Sequence, residues 1–386
     1  MTKPQNLVEP LKPPNRAARV PGAVLSIVVL CAVVYWATNA TQTSERLSHL
    51  SPLQFFKIYA DTTFADDIWL AISPYDPAEQ LPLRTAQISS QISATPESIV
   101  QSTGPAIEFK NAVLSDVPFC FEVQAQGAVR LSPHCQRHQH VQSKMPVCGW
   151  QNLTNEEQWD QNIFQTDSVI LARNIINLSN KFNCRHIVLD FENITSLSKN
   201  YFTEQISNLI KKIRSVENDF KPTLKENKQD PKMPLQISVA VYAKAHDPGE
   251  WEGPRGQDWR KICSIADEIV IMAYDFSIPG KGSPSETAPM AWVNQVLDLA
   301  TQRCETKQIR LGLAAFGYNW QTGGVVSHRE FQKYESDHSV RDDNFIFVED
   351  AAQRREKIKA ASLRGIHKFL VWSKGQLPAN NAALSE

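Results

Sequence analysis

A chain of 386 residues with 42% hydrophobic residues is long enough to bury a large core, and a formal net charge of −1 gives it no basic field of the kind nucleic acid demands. It contains no GxxxxGK, no GxGxxG after a strand pattern, no CxxC and no HExxH. Nucleotide-dependent and zinc chemistries therefore have no local support, and neither a cofactor nor a metal is expected.

In chain order, residues 1–19 form a polar lead carrying Lys3, Lys12, Arg16 and Arg19 against a single Glu9. Residues 20–37, from Val20 to Ala37, hold no charge. A bilayer core of ~30 Å takes about 20 helical residues, so this run suffices for one transmembrane helix. Tyr35 and Trp36 stand at its far edge, where aromatic rings favour the interface. The positive flank keeps the N-terminus in the cytoplasm and sends the rest across the membrane, as a periplasmic or extracellular domain. A signal peptide cleaved near Ala40 is the rival reading. Residues 38–52 read as a linker and 53–386 as one domain. Six cysteines follow the apolar run, an even set that suits an oxidising compartment. Sequence does not choose between their pairings; Cys120 with Cys135 and Cys263 with Cys304 are the expected local pairs.

Beyond Leu53, short apolar runs alternate with helical patterns. Strands are predicted at 68–72, 118–123, 146–150, 186–191, 235–242, 268–274, 309–316 and 368–372. Helices are predicted at 168–182, 201–216, 258–266, 291–303 and 351–363. Near-continuous apolar strands suit a parallel sheet covered on both faces. Eight such units in this length fit an α/β fold of the (β/α)8 TIM-barrel type, with a doubly wound open sheet as the alternative. A barrel places its active residues at the C-terminal ends of its strands. Asp190, Glu192, Tyr274, Asp275 and Trp372 stand there.

Asp190-Phe191-Glu192 is the central feature. Residues two apart in a strand share a face, so the two carboxylates are held side by side. Like charges at that spacing raise one pKa, which a general acid near neutral pH requires. Trp150, Trp292 and Trp320 are further aromatics for a sugar groove, with core packing favoured for Trp292. The run from His134 through Cys135 and His138 to His140 reads as a solvated loop. Asn152, Asn177 and Asn193 open Asn-x-Ser/Thr sequences, which matter only in a eukaryotic secretory pathway.

The segment from His186 to Glu192 resembles the fourth-strand signature of glycoside hydrolase family 18. Met272 to Asp275 resembles that family's sixth strand. Leu311 to Trp320 resembles its seventh strand and following loop, and Phe347 to Ala351 with Phe369 to Trp372 its last β/α passage. The wording is nearest to the spore-germination and cortex-lytic branch. The resemblance implies a retaining mechanism in which the substrate's own 2-acetamido oxygen attacks the anomeric carbon. By position, Glu192 would be the acid and later the base. Asp190 would orient the acetamido group and stabilise the positive intermediate, and Tyr274 would bind its oxygen. Trp372 would floor the cleaved subsite, with Asp275 and Phe316 also lining the substrate. The expected substrate is an N-acetylglucosamine-containing polymer such as peptidoglycan, a chitin-like glycan or an N-acetylated exopolysaccharide at the cell envelope. The family pattern DxxDxDxE holds Arg185 and Val188 at its first two acidic positions here, and Phe316 and Asn319 replace a usual Tyr and Asp. A catalytically silent glycan-binding relative and a scaffold of an envelope polysaccharide machine stay open as alternatives.

Overall fold

The computed structural model describes residues 67–73, 113–132, 146–153, 159–165, 167–194, 200–220, 234–331 and 345–377, all within the compact unit Asp61–Glu386. The predicted membrane span 20–37, the linker 38–52 and the His134–His140 run lie outside the described residues. Among the described residues, no helix is long and apolar enough to cross a membrane.

Eight parallel strands form the frame: β1 (Asp67–Ile72), β2 (Val113–Val123), β4 (Val147–Gln151), β5 (His186–Asp190), β6 (Gln236–Tyr242), β7 (Glu268–Met272), β8 (Ile309–Ala314) and β12 (Lys368–Trp372). Each pairs with its neighbour, and β1 pairs with both β12 and β2, so the sheet closes on itself. Closure decides for the barrel over the open sheet. A short β3 (Val129–Leu131) folds back antiparallel on β2.

The strand pleat sorts side chains into two cores. Inward residues Trp69, Ala71, Val117, Phe119, Val147, Val188, Val270 and Leu370 fill the barrel. Outward residues meet a ring of helices that includes α1 (Ser168–Lys181), α2 (Tyr201–Phe220), α3 (Glu252–Arg255), α4 (Trp259–Cys263), α5 (Met290–Arg303) and α6 (Ala351–Ser362). On α2, Ile206, Leu209, Ile210, Ile213 and Val216 recur at helical spacing and are all buried. Each such side chain contributes about 1.5–3 kcal/mol on leaving water. Helix starts are set by side-chain caps: Asp167 accepts from the Val169 amide at 2.9 Å, and Asp350 and Gln353 form a reciprocal capping box on α6. Gly149 is needed where β4 passes Phe119, because a Cβ there would lie 2.3 Å from that ring.

The stretch after β8 holds a feature that periodicity did not show. There β9 (Phe316–Asn319), β10 (Val325–Ser327) and β11 (Ile346–Val348) form a small antiparallel sheet in the order β10-β9-β11. The expected Cys263–Cys304 disulfide is present, with Cα atoms 5.7 Å apart. Cys148–Cys184 is a second bridge, unforeseen in sequence, with Cα atoms 5.9 Å apart. It forms because Cys148 points outward from β4 just where the chain enters the adjacent β5. Cys120 is disulfide-bonded too, and its expected partner Cys135 lies outside the described residues.

Candidate active site

The C-terminal rim of the barrel gathers five of the six predicted site residues at strand ends, with Phe316 on the small sheet beside them. Asp190 ends β5 and Glu192 follows two residues later, while Phe191 between them is buried in the outer core. The pleat thus continues past the strand and turns both carboxylates toward the mouth.

Two side chains from neighbouring strands hold the turn on which Glu192 sits. Asn152, directly after β4, accepts from the Glu192 amide at 2.8 Å and donates to the Glu192 carbonyl at 2.8 Å. Its amide also donates to the Asp160 carbonyl at 3.1 Å. Tyr242, the last residue of β6, accepts from the Asn193 amide at 2.9 Å. Neither residue was singled out for the site from sequence. Asn152 drew notice only as a glycosylation sequence, and being fully buried it is closed to a glycan. The signal for Tyr242 was present, since it ends a barrel strand just before the mouth, as Tyr274 follows one.

Burial dominates the electrostatics. It pushes the Asp190 carboxyl up to about 7. One Asp190 oxygen has no hydrogen-bond partner among the described residues, in keeping with apolar Val188 below it. Burial also lifts Glu192 well above the ordinary carboxylate range; the Asp190 charge adds to this, the nearby Tyr242 hydroxyl opposes it, and Asp275 adds a little more. Gln151 lies in register beside Asp190 on β4, and its buried amide nitrogen likewise has no partner among the described residues. A buried donor and acceptor left side by side suit a polar ligand rather than a packed core.

Tyr274, two residues past β7, is half-buried, and its ring meets Phe316 edge-on at 5.8 Å. Burial first, then the nearby carboxylates, raise its pKa well above the ordinary value, so it stays a hydrogen-bond donor. Asp275 lies at the exposed edge of the mouth, with a positive φ of 61° that Asp tolerates, and accepts from the Tyr318 hydroxyl at 2.6 Å. Burial of its inner side raises its pKa to about 6, against the Tyr318 bond. Phe316 and Tyr318 meet edge-on at 5.8 Å. Trp372 closes β12, half-buried over the barrel interior, with its ring edge-on to Phe119 at 4.9 Å. Asn319 has a turn-forming role, its side chain accepting from the Gln321 and Thr322 amides. Trp150 is a correction to the groove reading: it faces outward from β4, fully buried and stacked on Phe121 at 4.3 Å. Trp292 packs against Phe276 and the outer core, as favoured.

Residues 32–376 match the family described as glycosyl hydrolases family 18. The chain belongs to that family. Over 161 residues it is 24% identical to the glycosylase YdhD of Bacillus subtilis (strain 168), covering 41% of this chain and 34% of that protein. Over 106 residues it is 27% identical to the glycosylase YvbX of the same organism, covering 26% of this chain and 30% of that protein. These matches span about a third of each curated relative. Among solved structures, a chitinase from Chromobacterium violaceum ATCC 12472 superposes with a TM-score of 0.57 at 20% identity, over 70% of this chain and 89% of its own. The Bacillus cereus spore cortex-lytic enzyme SleL superposes with a TM-score of 0.53 at 18% identity, over 69% of this chain and 65% of its own. These likenesses carry the fold, and family 18 membership rests on the sequence match.

The two carboxylates predict a pH dependence. A mechanism that needs Asp190 ionised gains rate as pH rises through about 7, where that group loses its proton. The same mechanism needs Glu192 protonated and loses rate only where its raised pKa is passed. The rate should therefore rise with pH through about 7 as Asp190 ionises, and fall again where Glu192 loses its own proton. Initial rates across the pH range check this, and a maximum in clear acid would show that Asp190 ionises like an ordinary surface carboxyl.

Proposed function

We propose that this protein is a retaining glycoside hydrolase of N-acetylglucosamine-containing polymers, acting through the substrate's own acetamido group. The observation that carries this reading is Glu192, kept protonated by burial and gripped by Asn152 and Tyr242 beside Asp190 at the barrel mouth. Family membership, the names of the glycosylase relatives and the chitinase and cortex-lytic folds support the same substrate class.

In this mechanism Glu192 protonates the departing glycosidic oxygen. The acetamido oxygen closes on the anomeric carbon, positioned by the Tyr274 hydroxyl. Asp190 accepts from the acetamido nitrogen and balances the positive charge that forms there. Glu192, now ionised, takes a proton from water, which opens the ring intermediate with the original configuration restored. Trp372 gives the sugar an apolar floor, and Asp275 with Phe316 lines the rim. The deciding experiment is release of reducing ends from N-acetylglucosamine oligomers and from purified peptidoglycan by the full chain. Tight binding without cleavage would move the protein to the glycan-binding class.

The envelope location belongs to the same proposal. Residues 20–37 serve as a membrane anchor with residues 1–19 in the cytoplasm and the barrel outside, supported by the charge flank and the even cysteine set. The mature protein should fractionate with membranes and keep its N-terminal residues. A mature N-terminus near Thr41 would show a cleaved signal instead.

A further inference from the structure

The ring of helices around the barrel is thin at one point. Between β6 and β7 stand α3, of four residues, and α4, of five, whereas α2 before them has 20 residues and α5 after them has 14. The loop from Ala243 to Asp258 fills part of the gap and leaves a pocket of about 440 Å³ open to solvent. Its wall runs from Asn200, just before α2, to Arg303, the last residue of α5. Among the described residues, none that lines this pocket belongs to the barrel mouth.

The pocket wall is rich in cations whose directions are fixed by the protein. Lys244 is 1% exposed; its ammonium donates to the Gln257 carbonyl at 2.7 Å and pairs with one oxygen of Asp247 at 2.8 Å. Arg303 donates through Nε to the other Asp247 oxygen at 2.7 Å. Arg255 is tied by Nε to the Gly249 carbonyl and by Nη2 to the Glu250 carbonyl, both at 3.0 Å. Arg260 is tied by Nη2 to the Gln302 carbonyl at 3.2 Å. Each guanidinium is thus anchored on one side. Among the described residues, no partner takes Nη1 of Arg255, Nε and Nη1 of Arg260, or the two terminal nitrogens of Arg303.

The acids of the wall are already engaged. Asp247 is shared between Lys244 and Arg303, and Asp258 accepts from the Lys261 amide at 3.1 Å. Four cations against two carboxylates leave the lining with a surplus of two positive charges. Like charges gathered in one concave wall repel, and a bound anion relieves that cost. Guanidinium groups meet phosphate oxygens through paired N–H donors. A phosphate ester carries about −1.5 to −2 charge near neutral pH and three acceptor oxygens, which matches both the surplus and the spare donors. Small-molecule sites span roughly 300–1,000 Å³, so the pocket has room for more than the phosphate itself.

We propose that this pocket is a binding site for a phosphate monoester, held by Arg255, Arg260 and Arg303. The site goes beyond the hydrolase reading and does not depend on it.

Calorimetric titration of the full chain in uncharged detergent, at fixed ionic strength, tests the site. The probes are inorganic phosphate, glycerol 3-phosphate and dihexanoyl phosphatidic acid. Saturable one-to-one binding is expected, and Arg255→Gln combined with Arg260→Gln should weaken it about tenfold or more, since charge-assisted hydrogen bonds are lost. Arg173→Gln combined with Lys211→Gln removes two exposed charges from α1 and α2, outside the pocket, and should leave the affinity unchanged. Arg260→Gln alone, which gives up a single bond to the protein, should shift the affinity in the same direction if the double variant fails to fold. Tighter binding of the short-chain lipid than of glycerol 3-phosphate would name a lipid headgroup as the source of the phosphate, and equal binding a soluble ester. No saturable binding of any probe, or equal affinity in the wild type and the arginine variants, would overturn the site. The readout is binding, so the result stands whether or not the protein cleaves glycans.

Discussion

Glu192→Gln should lower hydrolysis of N-acetylglucosamine polymers by about 10²–10⁴-fold, the span over which a positioned general acid acts. The amide has nearly the same shape, so the turn held by Asn152 survives. What disappears is the proton that the leaving oxygen needs. Binding should persist, and KM or glycan affinity should change far less than kcat. Asp190→Asn makes the informative comparison. It removes the charge that balances the positive intermediate but leaves the acid in place, so activity falls while Glu192 ionises more readily without its neighbour's charge. Parallel losses in the two variants with glycan affinity intact fit a site in which both groups act on one transition state. Residual turnover of Glu192→Gln near that of the wild type would mean that another group delivers the proton and that Glu192 has been assigned wrongly.

The barrel was legible because its parallel strands carry compact apolar runs that alternate with helical patterns. Periodicity alone left the open sheet standing; only the pairing of β1 with both β2 and β12 removes it. The pair Asp190 and Glu192 was legible for a local reason, the two-residue repeat of a strand. Asn152 and Tyr242 escaped notice because they act on the backbone of a segment 40 and 49 residues away, and such a bond leaves no spacing in the sequence. The Cys148–Cys184 bridge escaped for a similar reason, its partners being neighbours only once β4 and β5 lie side by side. The small sheet after β8 lacks the long apolar runs that marked the barrel, each of its strands being three or four residues.

The opposite end of the barrel was illegible for another reason: its charges open apolar strands, where a charge ordinarily marks the solvent boundary. Arg310, the second residue of β8, is instead 1% exposed, and all five of its donors are used. It meets Glu268 at 2.7 and 3.4 Å, the Asp67 carboxylate at 2.6 Å, and the Phe369 and Asp67 carbonyls at 3.1 and 3.3 Å. Its guanidinium lies 3.3 Å from the centre of the Trp69 ring. Lys368 donates to Glu268 at 2.9 Å, and Ser238 links Glu268 to His186. Burial alone would raise the Glu268 pKa, but Arg310 and Lys368 outweigh it and hold the carboxyl below its ordinary value. Arg310→Met should cost about 3–5 kcal/mol, because it leaves a buried carboxylate with only Lys368 and the Ser238 hydroxyl to serve it. Glu268 with its pKa depressed contributes stability that is present above its unfolded pKa and is lost as pH falls through the folded value. The variant loses that depression, so the gap between wild type and variant should be widest near neutrality and narrow in acid. Urea unfolding at several pH values measures both. Adding Glu268→Leu to the variant should restore part of the loss, since the deeply buried charge is then gone and the charges left unpaired, Asp67 and Lys368, are partly exposed. A loss below about 1 kcal/mol, or one independent of pH, would mean that water rather than Arg310 serves Glu268 in solution.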